Sequence, residues 1–327
     1  MLAEQTRDEV FADSIRAQLS VVEDALMSAA VARTPMVTEA AQHIIAAGGK
    51  RFRPLLVILA SHFGPAADGA GDVVKSAVVV ELTHVASLYH DDVMDEAALR
   101  RGSASANDRW GNTVAILVGD FLFARASDLV SELGVEFVRI QARTFSRLVQ
   151  GQIAETVGPS AGDDPLEHYL QVVADKTGSL IATSAVFGAK IAGAEPSVQQ
   201  ALAEFGEEIG IVFQLSDDII DITSDDTGKT PGTDLRAKVP TLPTLLVRQS
   251  IDPADARLHE LLDSDLHEDT ALAEVLALLR RHPAIGHARA VVGRRAEFAR
   301  SKLTALPRGP ARTALEELCD SVVTRTA

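Results

Sequence analysis

Two short acidic strings, Asp91–Asp95 (DDVMD) and Asp217–Asp221 (DDIID), are the residues best suited to do chemistry in this chain. On a helix advancing about 100° per residue, the first and fifth positions lie about 40° apart and one turn along the axis. Asp91, Asp92 and Asp95 then form one three-carboxylate claw, and Asp217, Asp218 and Asp221 a second. Carboxylate oxygens suit hard divalent cations, and Mg²⁺ is usually shared between a few carboxylates and the oxygens of a phosphate. Two facing claws would hold a cluster of Mg²⁺ ions around a diphosphate. One such string alone reads equally well as a solvated acidic face. Both strings here adjoin apolar stretches, Ser76–Tyr89 and Ile209–Leu215, where uncompensated carboxylates are costly, so the pair reads as a metal site.

Cations suited to a phosphate lie near these strings. The segment GGKRFRP (Gly48–Pro54) places Lys50, Arg51 and Arg53 behind two glycines and ahead of a helix. Glycine lets backbone approach a ligand closely, and Arg grips phosphate through two parallel bonds. The plainer reading is a basic turn that caps a helix. Arg100 and Arg101, ahead of Gly102, hold a second phosphate or pair with local acids. His84 lies two turns before Asp91 on nearly the same face, where a lone histidine is ordinarily a satisfied core residue. Gln214 lies one turn short of Asp217 and Asp218 and faces the same cavity, whereas Lys176 and Thr177 say little individually. Asp120 reads as a buried structural acid, and Tyr89, Met94 and Trp110 as packing. The longest loop, Ser224–Pro243, carries Lys229 and Lys238 where they would close over whatever the aspartates bind.

The elements that position these residues are helices. Apolar residues recur at three- and four-residue steps from Val10 to Val323, and strand-type alternation is hard to find. No long flexible linker or fixed-period repeat interrupts the pattern, so residues 1–327 read as one all-α domain of about ten or more helices. Hydrophobic residues make up 46 % and aromatics 4 %, which favours helices packed closely on helices. A net charge of −15 argues against a nucleic-acid partner, which needs a basic footprint, but metal ions can invert the local sign for a phosphate substrate. The single cysteine, Cys319, rules out an internal disulfide and fits a reducing compartment. The opening MLAEQTRDEV lacks the apolar core of a signal peptide, and no run approaches the ~18 apolar residues of a membrane span. The expected location is the cytoplasm, with a peripheral membrane contact as a route for releasing an apolar product.

Taken together, GGKRFRP, ELTHVASLYHDDVMDEAALRRG, GNTVAILVGDFLFA, ADKTGS, FQLSDDIIDI and GKTPGTDLRAKVPTLP resemble, in order and across nearly the whole chain, the trans-isoprenyl diphosphate synthases. The resemblance implies an all-α fold around a central cavity, a homodimer, and Mg²⁺-dependent condensation of isopentenyl diphosphate onto an allylic diphosphate primer. By the same resemblance, Asp91, Asp92, Asp95, Asp217, Asp218 and Asp221 hold the metal, three Mg²⁺ ions with the diphosphate bound. Lys176, Lys229 and Arg100 contact the allylic diphosphate, while Lys50, Arg53, His84 and Arg101 bind isopentenyl diphosphate. Thr177 and Gln214 stand near the cationic intermediate, and Lys238 helps close the loop.

In that family, the residues five and four positions before the first aspartate control product length, and here they are Ala86 and Ser87. Both are small, so growth is expected to continue into the heptaprenyl to decaprenyl range, for a quinone side chain. Tyr89 stands where Leu is commoner and is a candidate for redirecting the tunnel. The rival readings are a short-chain geranylgeranyl diphosphate synthase, a terpene cyclase and a non-catalytic regulatory subunit. A cyclase carries a different second metal motif, and regulatory subunits lose one or both claws.

Overall fold

The computed structural model describes residues 2–65, 70–223 and 231–326, with side chains from residue 9 onward. Helices α1 (Leu2–Ala29), α2 (Pro35–Ala46), α3 (Phe52–Ser61) and α4 (Ala70–Met94) are followed by α5 (Ala106–Trp110), α6 (Asn112–Ser131) and α7 (Val135–Val157). Next come α8 (Pro165–Val173), α9 (Ser179–Ile191), α10 (Pro196–Thr223), α11 (Thr233–Arg236) and α12 (Leu242–Arg248). The remaining helices are α13 (Ala256–Asp263), α14 (Asp269–Arg281), α15 (Pro283–Lys302) and α16 (Pro310–Thr324). The expected all-α class is the one observed. Among the described residues, no helix is long and apolar enough to cross a membrane.

The chain forms two compact units. The first comprises Met1–Ser146, Leu180–Gly206 and Lys302–Leu315; the second comprises Arg147–Ser179, Glu207–Ser301 and Glu316–Ala327. In the first unit, α4 is apolar nearly all round, with Val78, Val79, Val80, Leu82, Val85, Ala86 and Tyr89 buried. Such a helix is stable only when surrounded, and α1, α3 and α6 pack against it. Each larger side chain so buried contributes about 1.5–3 kcal/mol. The Tyr89 hydroxyl donates to the carbonyls of Ala40 and Ala41 in α2, so this residue ties α4 to α2. Tyr89 is accordingly a packing residue, committed to a neighbouring helix rather than to a tunnel.

A two-strand hairpin breaks the helical pattern directly after the first acidic string. Strand β1 (Leu99–Arg100) pairs antiparallel with β2 (Ser103–Ala104). The two turn residues, Arg101 and Gly102, have φ of 52° and 76°, the conformation that a tight hairpin requires. Arg100 ends the strand and turns to Asp92, while Arg101, in the turn, reaches Ile44 O.

In the second unit, Leu258, Leu261, Leu272, Val275, Leu279 and Ile285 of α13–α15 build a core with Val247 of α12 and Ile222 of α10. Helix α8 starts at Pro165, with the Asp164 carboxylate accepting from Leu166 N at 2.8 Å, and ends in a π-helical turn, Ala174–Gly178. The long loop after Asp221 is partly helical, because α11 occupies its middle. Lys229 lies outside the described residues.

Two sequence readings are corrected. Asp120 is no buried acid: its side chain is 62 % exposed, 3.5 Å from His90 Nε2. Met94 is also exposed, because α4 ends there and its last turn leaves the core.

Candidate active site

The first acidic string sits at the C-terminal end of α4. Asp91 and Asp92 lie in the last turn, and Asp95 lies just past the helix, with its N–H still donating to Asp91 O at 2.8 Å. The string is thus helical only as far as Met94. A helix C-terminus carries partial negative charge, and no basic residue occupies the last turn of α4. Three carboxylates there need a cation from elsewhere. The hairpin supplies one by folding Arg100 back so that its Nε donates to Asp92 Oδ1 at 2.6 Å. Asp92 is fully buried, and its Oδ2 has no hydrogen-bond partner. Burial raises its pKa, against the opposing pull of Arg100.

Beside this string lies a concentration of positive charge. Of the three cations in GGKRFRP, Arg51 is structural: it is buried, ion-paired to Glu23 and Glu81, and donates to Ile45 O at 2.8 Å. This arrangement fixes the loop that presents Lys50, which is exposed, and Arg53, whose Nε is buried without a hydrogen-bond partner. Arg101 donates to Ile44 O at 3.0 Å and to Gly48 O. Its guanidinium lies over Gly49, where an added Cβ would come within 2.9 Å of it. Burial lowers the Arg53 pKa to about 10, with Arg101 pushing the same way against Glu81. His84 is pushed well below its ordinary value, first by burial and then by Arg53, Arg101, Arg100 and Arg51. Burial is the largest cause of each of these shifts and neighbouring cations add to it, so this cluster is one whose charge an anion would relieve.

The second acidic string occupies the last two turns of α10, again with no basic residue in the last turn. Asp218 is 2 % exposed and takes neutral donors: the Tyr169 hydroxyl, Leu242 N at 3.1 Å and Gln214 Nε2 at 3.2 Å. Burial raises its pKa to about 6 despite these bonds. Asp217 Oδ1 accepts from Arg325 at 2.6 Å, and Asp221 accepts from Asp234 N at 3.4 Å. Thr177 donates to Gln214 Oε1 at 3.4 Å, so Thr177, Gln214 and Asp218 form one connected line.

The π turn carries Lys176 and Thr177. Lys176 pairs with Glu155 at 2.5 Å, and Gly151 packs so closely that an added Cβ would lie 2.8 Å from Lys176 N. Lys238 is exposed, in a left-handed conformation with φ of 54°, and lines a cleft with Arg248 and Asp263. Ala86 is buried. Ser87 is nearly so, its hydroxyl donating to His84 O at 2.8 Å.

Among the described residues, no three His, Cys, Asp or Glu side chains converge closely enough to hold a metal ion by themselves. The expected claws are therefore not preformed cages. Like charges repel, and Asp92, Asp217 and Asp218 each lean on a different protein partner instead. The donors still fit a hard divalent cation. They are carboxylate oxygens at negative helix ends, one of them orphaned and buried, and such a cation takes its remaining oxygens from phosphate and water.

Sequence reasoning missed Tyr169, Glu155, Arg325 and the brace formed by Arg147 with Asp175 and Glu207, at 2.7 and 2.8 Å. Asp175 lies in the ADKTGS string, which hinted at the turn that Glu155 and the Arg147 brace support, whereas Tyr169 and Arg325 lie outside every recognised string.

Comparison with known proteins places this arrangement in context. Residues 34–279 match the Polyprenyl synthetase family. The chain is 46 % identical over 320 residues to the nonaprenyl diphosphate synthase of Mycobacterium tuberculosis, covering 97 % of this chain and 95 % of that protein. It superposes on the geranylgeranyl pyrophosphate synthase of Corynebacterium glutamicum, complexed with calcium and isoprenyl diphosphate, with a TM-score of 0.86 and 43 % identity, covering 97 % and 98 % of the two chains. The decaprenyl diphosphate synthase of Rhodobacter capsulatus gives a TM-score of 0.88 at 30 % identity, covering 98 % and 99 %.

Proposed function

The chain belongs to the polyprenyl synthetase family, and on that premise we propose that it condenses isopentenyl diphosphate onto an allylic diphosphate primer. The product is a medium- or long-chain all-trans polyprenyl diphosphate, heptaprenyl to decaprenyl, destined for a quinone side chain. The observation that carries this reading is the pair of buried aspartates, Asp92 and Asp218, each held at the negative end of a helix.

In this account Asp91, Asp92, Asp95, Asp217, Asp218 and Asp221 hold three Mg²⁺ ions, a role supported by the calcium in the C. glutamicum relative. The metal would supply charge stabilisation to the departing diphosphate. The chain's own cations add to that. Arg100, Lys176 and Lys229 contact the allylic diphosphate, and Lys50, Arg53, His84 and Arg101 seat the diphosphate of isopentenyl diphosphate. A depressed His84 stays neutral, so it donates one hydrogen bond without repelling the arginines. Thr177 and Gln214 present oxygens towards the allylic cation. An apolar surround keeps water from quenching it. The double bond of isopentenyl diphosphate attacks the cation to form the new carbon–carbon bond, and loss of a proton from that adduct to the released diphosphate completes the step, so no protein nucleophile is needed.

One catalytic domain spanning residues 1–327 is part of this reading. A homodimer in the cytoplasm, with a peripheral membrane contact for product release, completes the reading.

The chain-length assignment rests on small Ala86 and Ser87 and on the nonaprenyl relative. The C. glutamicum relative supports the short-chain alternative, geranylgeranyl diphosphate. Labelled isopentenyl diphosphate, Mg²⁺ and separate primers, followed by sizing of the dephosphorylated products, tests both. Long prenols support the proposal, a stop at geranylgeraniol selects the alternative, and no elongation with any primer overturns the chemistry. A Ser87→Phe variant is expected to shorten the product; unchanged length removes Ser87 from the account.

A further inference from the structure

Arg325, just beyond α16, is paired to the second acidic string by contacts that leave little freedom. Its guanidinium donates to Asp217 Oδ1 at 2.6 Å and lies 5.0 Å from the centre of the Phe213 ring. Phe213 and Asp217 are four residues apart, so the guanidinium covers one face of α10. The segment around it is held independently. The buried Ser216 hydroxyl donates to Val322 O at 3.4 Å, Arg289 Nε donates to Thr326 O at 2.5 Å, and Val322 and Thr326 are themselves buried. Arg325 therefore reaches Asp217 from a fixed platform.

The oxygen it occupies is one that a divalent cation would take. We propose that Arg325 is a resident counter-cation of the second acidic string, neutralising Asp217 in the metal-free protein and competing with metal there. The inference rests on the metal-binding reading above and extends it to a residue that this reading leaves without a role. Without Arg325, Asp217 would face Asp218 and the negative end of α10 with no compensating charge; with it, a metal ion must displace a guanidinium. Metal loading of this string is then weakened until a diphosphate arrives to share the ion and offer the guanidinium a new anionic partner.

The test is a substrate-free Mn²⁺ titration of the full chain, followed by electron paramagnetic resonance. Arg325→Gln should bind Mn²⁺ roughly two- to fivefold more tightly than the unaltered protein, the scale of a partly exposed ion pair. Arg325→Lys should stay close to the unaltered protein. Arg289→Gln loosens the same segment while keeping the Asp217 pair and should leave affinity unchanged. A purely structural Arg325 predicts unchanged or weaker binding in Arg325→Gln, and that result overturns the inference. Asp217→Asn separates the two claims. If Mn²⁺ binding is indifferent to Asp217→Asn, or absent from every form, the metal reading fails and the inference falls with it. If Asp217→Asn weakens binding while Arg325→Gln does not strengthen it, only the inference fails.

Discussion

The two acidic strings share a sequence pattern and a place at the C-terminal end of a long helix, yet they hold their buried carboxylate differently. Asp92 is balanced by a full charge, Arg100, returned to it by a hairpin only a few residues away. Asp218 is balanced by neutral donors brought from distant parts of the chain, Tyr169 and Leu242 N, and by Gln214 one turn before it. The charge in the second string falls on its half-buried neighbour, Asp217, through Arg325. Burial pushes both carboxylates upward in pKa, and at Asp92 the Arg100 charge opposes the rise. At Asp218 the only opposition comes from neutral donors, and burial still takes its pKa to about 6.

The largest expected effect shows whether both strings are needed. Asp92→Asn and Asp218→Asn should each lower kcat by about 10³-fold or more, since each removes metal-directed charge stabilisation. Near-normal turnover in either variant would show that one string suffices.

Next in size is stability. Arg100→Gln leaves a buried carboxylate uncompensated and should cost about 2–3 kcal/mol, discounted because Arg100 is partly exposed. Tyr169→Phe removes one neutral donor and should cost about 1–2 kcal/mol. Denaturant unfolding reads both, and equal losses would erase the distinction between charged and neutral support.

The anion seat gives a smaller effect. Arg53→Gln should raise KM for isopentenyl diphosphate about tenfold with kcat little changed, because a uniform binding contact is lost. A fall in kcat at constant KM would move Arg53 out of that seat.

The pH dependence is subtler. Asp218 has its pKa raised from 3.8 to about 6, so between these values the folded chain holds a proton that the unfolded chain releases. This group therefore adds stability to the metal-free protein at low pH and loses it as pH rises through about 6. Metal binding runs the other way and should weaken below that pH. Parallel unfolding and metal titrations at pH 5 and 7 check the opposed signs, and a common sign would refute the assignment to Asp218.

Much of this architecture was legible in the chain. The helical periodicity marked the all-α class, and the six ordered strings singled out the aspartates, the cations of GGKRFRP and the Lys176–Thr177 pair as the candidates on which the proposed function rests. What escaped was long-range or conformational. Arg325 lies 108 residues from Asp217 and Tyr169 lies 49 from Asp218, distances that no local pattern spans. The hairpin at Leu99–Ala104 is too short to show alternation, so the different partners of Arg100 and Arg101 are visible only in the fold. Arg51 looked like its phosphate-seeking neighbours until Glu23 and Glu81 showed it turned inward. Asp120 looked buried because apolar residues flank it, although its face of α6 is open.

We propose that both strings hold metal on one substrate diphosphate. Counting Mg²⁺ bound in the presence of an unreactive thiolo analogue of the allylic diphosphate tests it most directly. Three ions are expected in the unaltered protein and fewer in both Asp92→Asn and Asp218→Asn. A count unchanged by either substitution would contradict it.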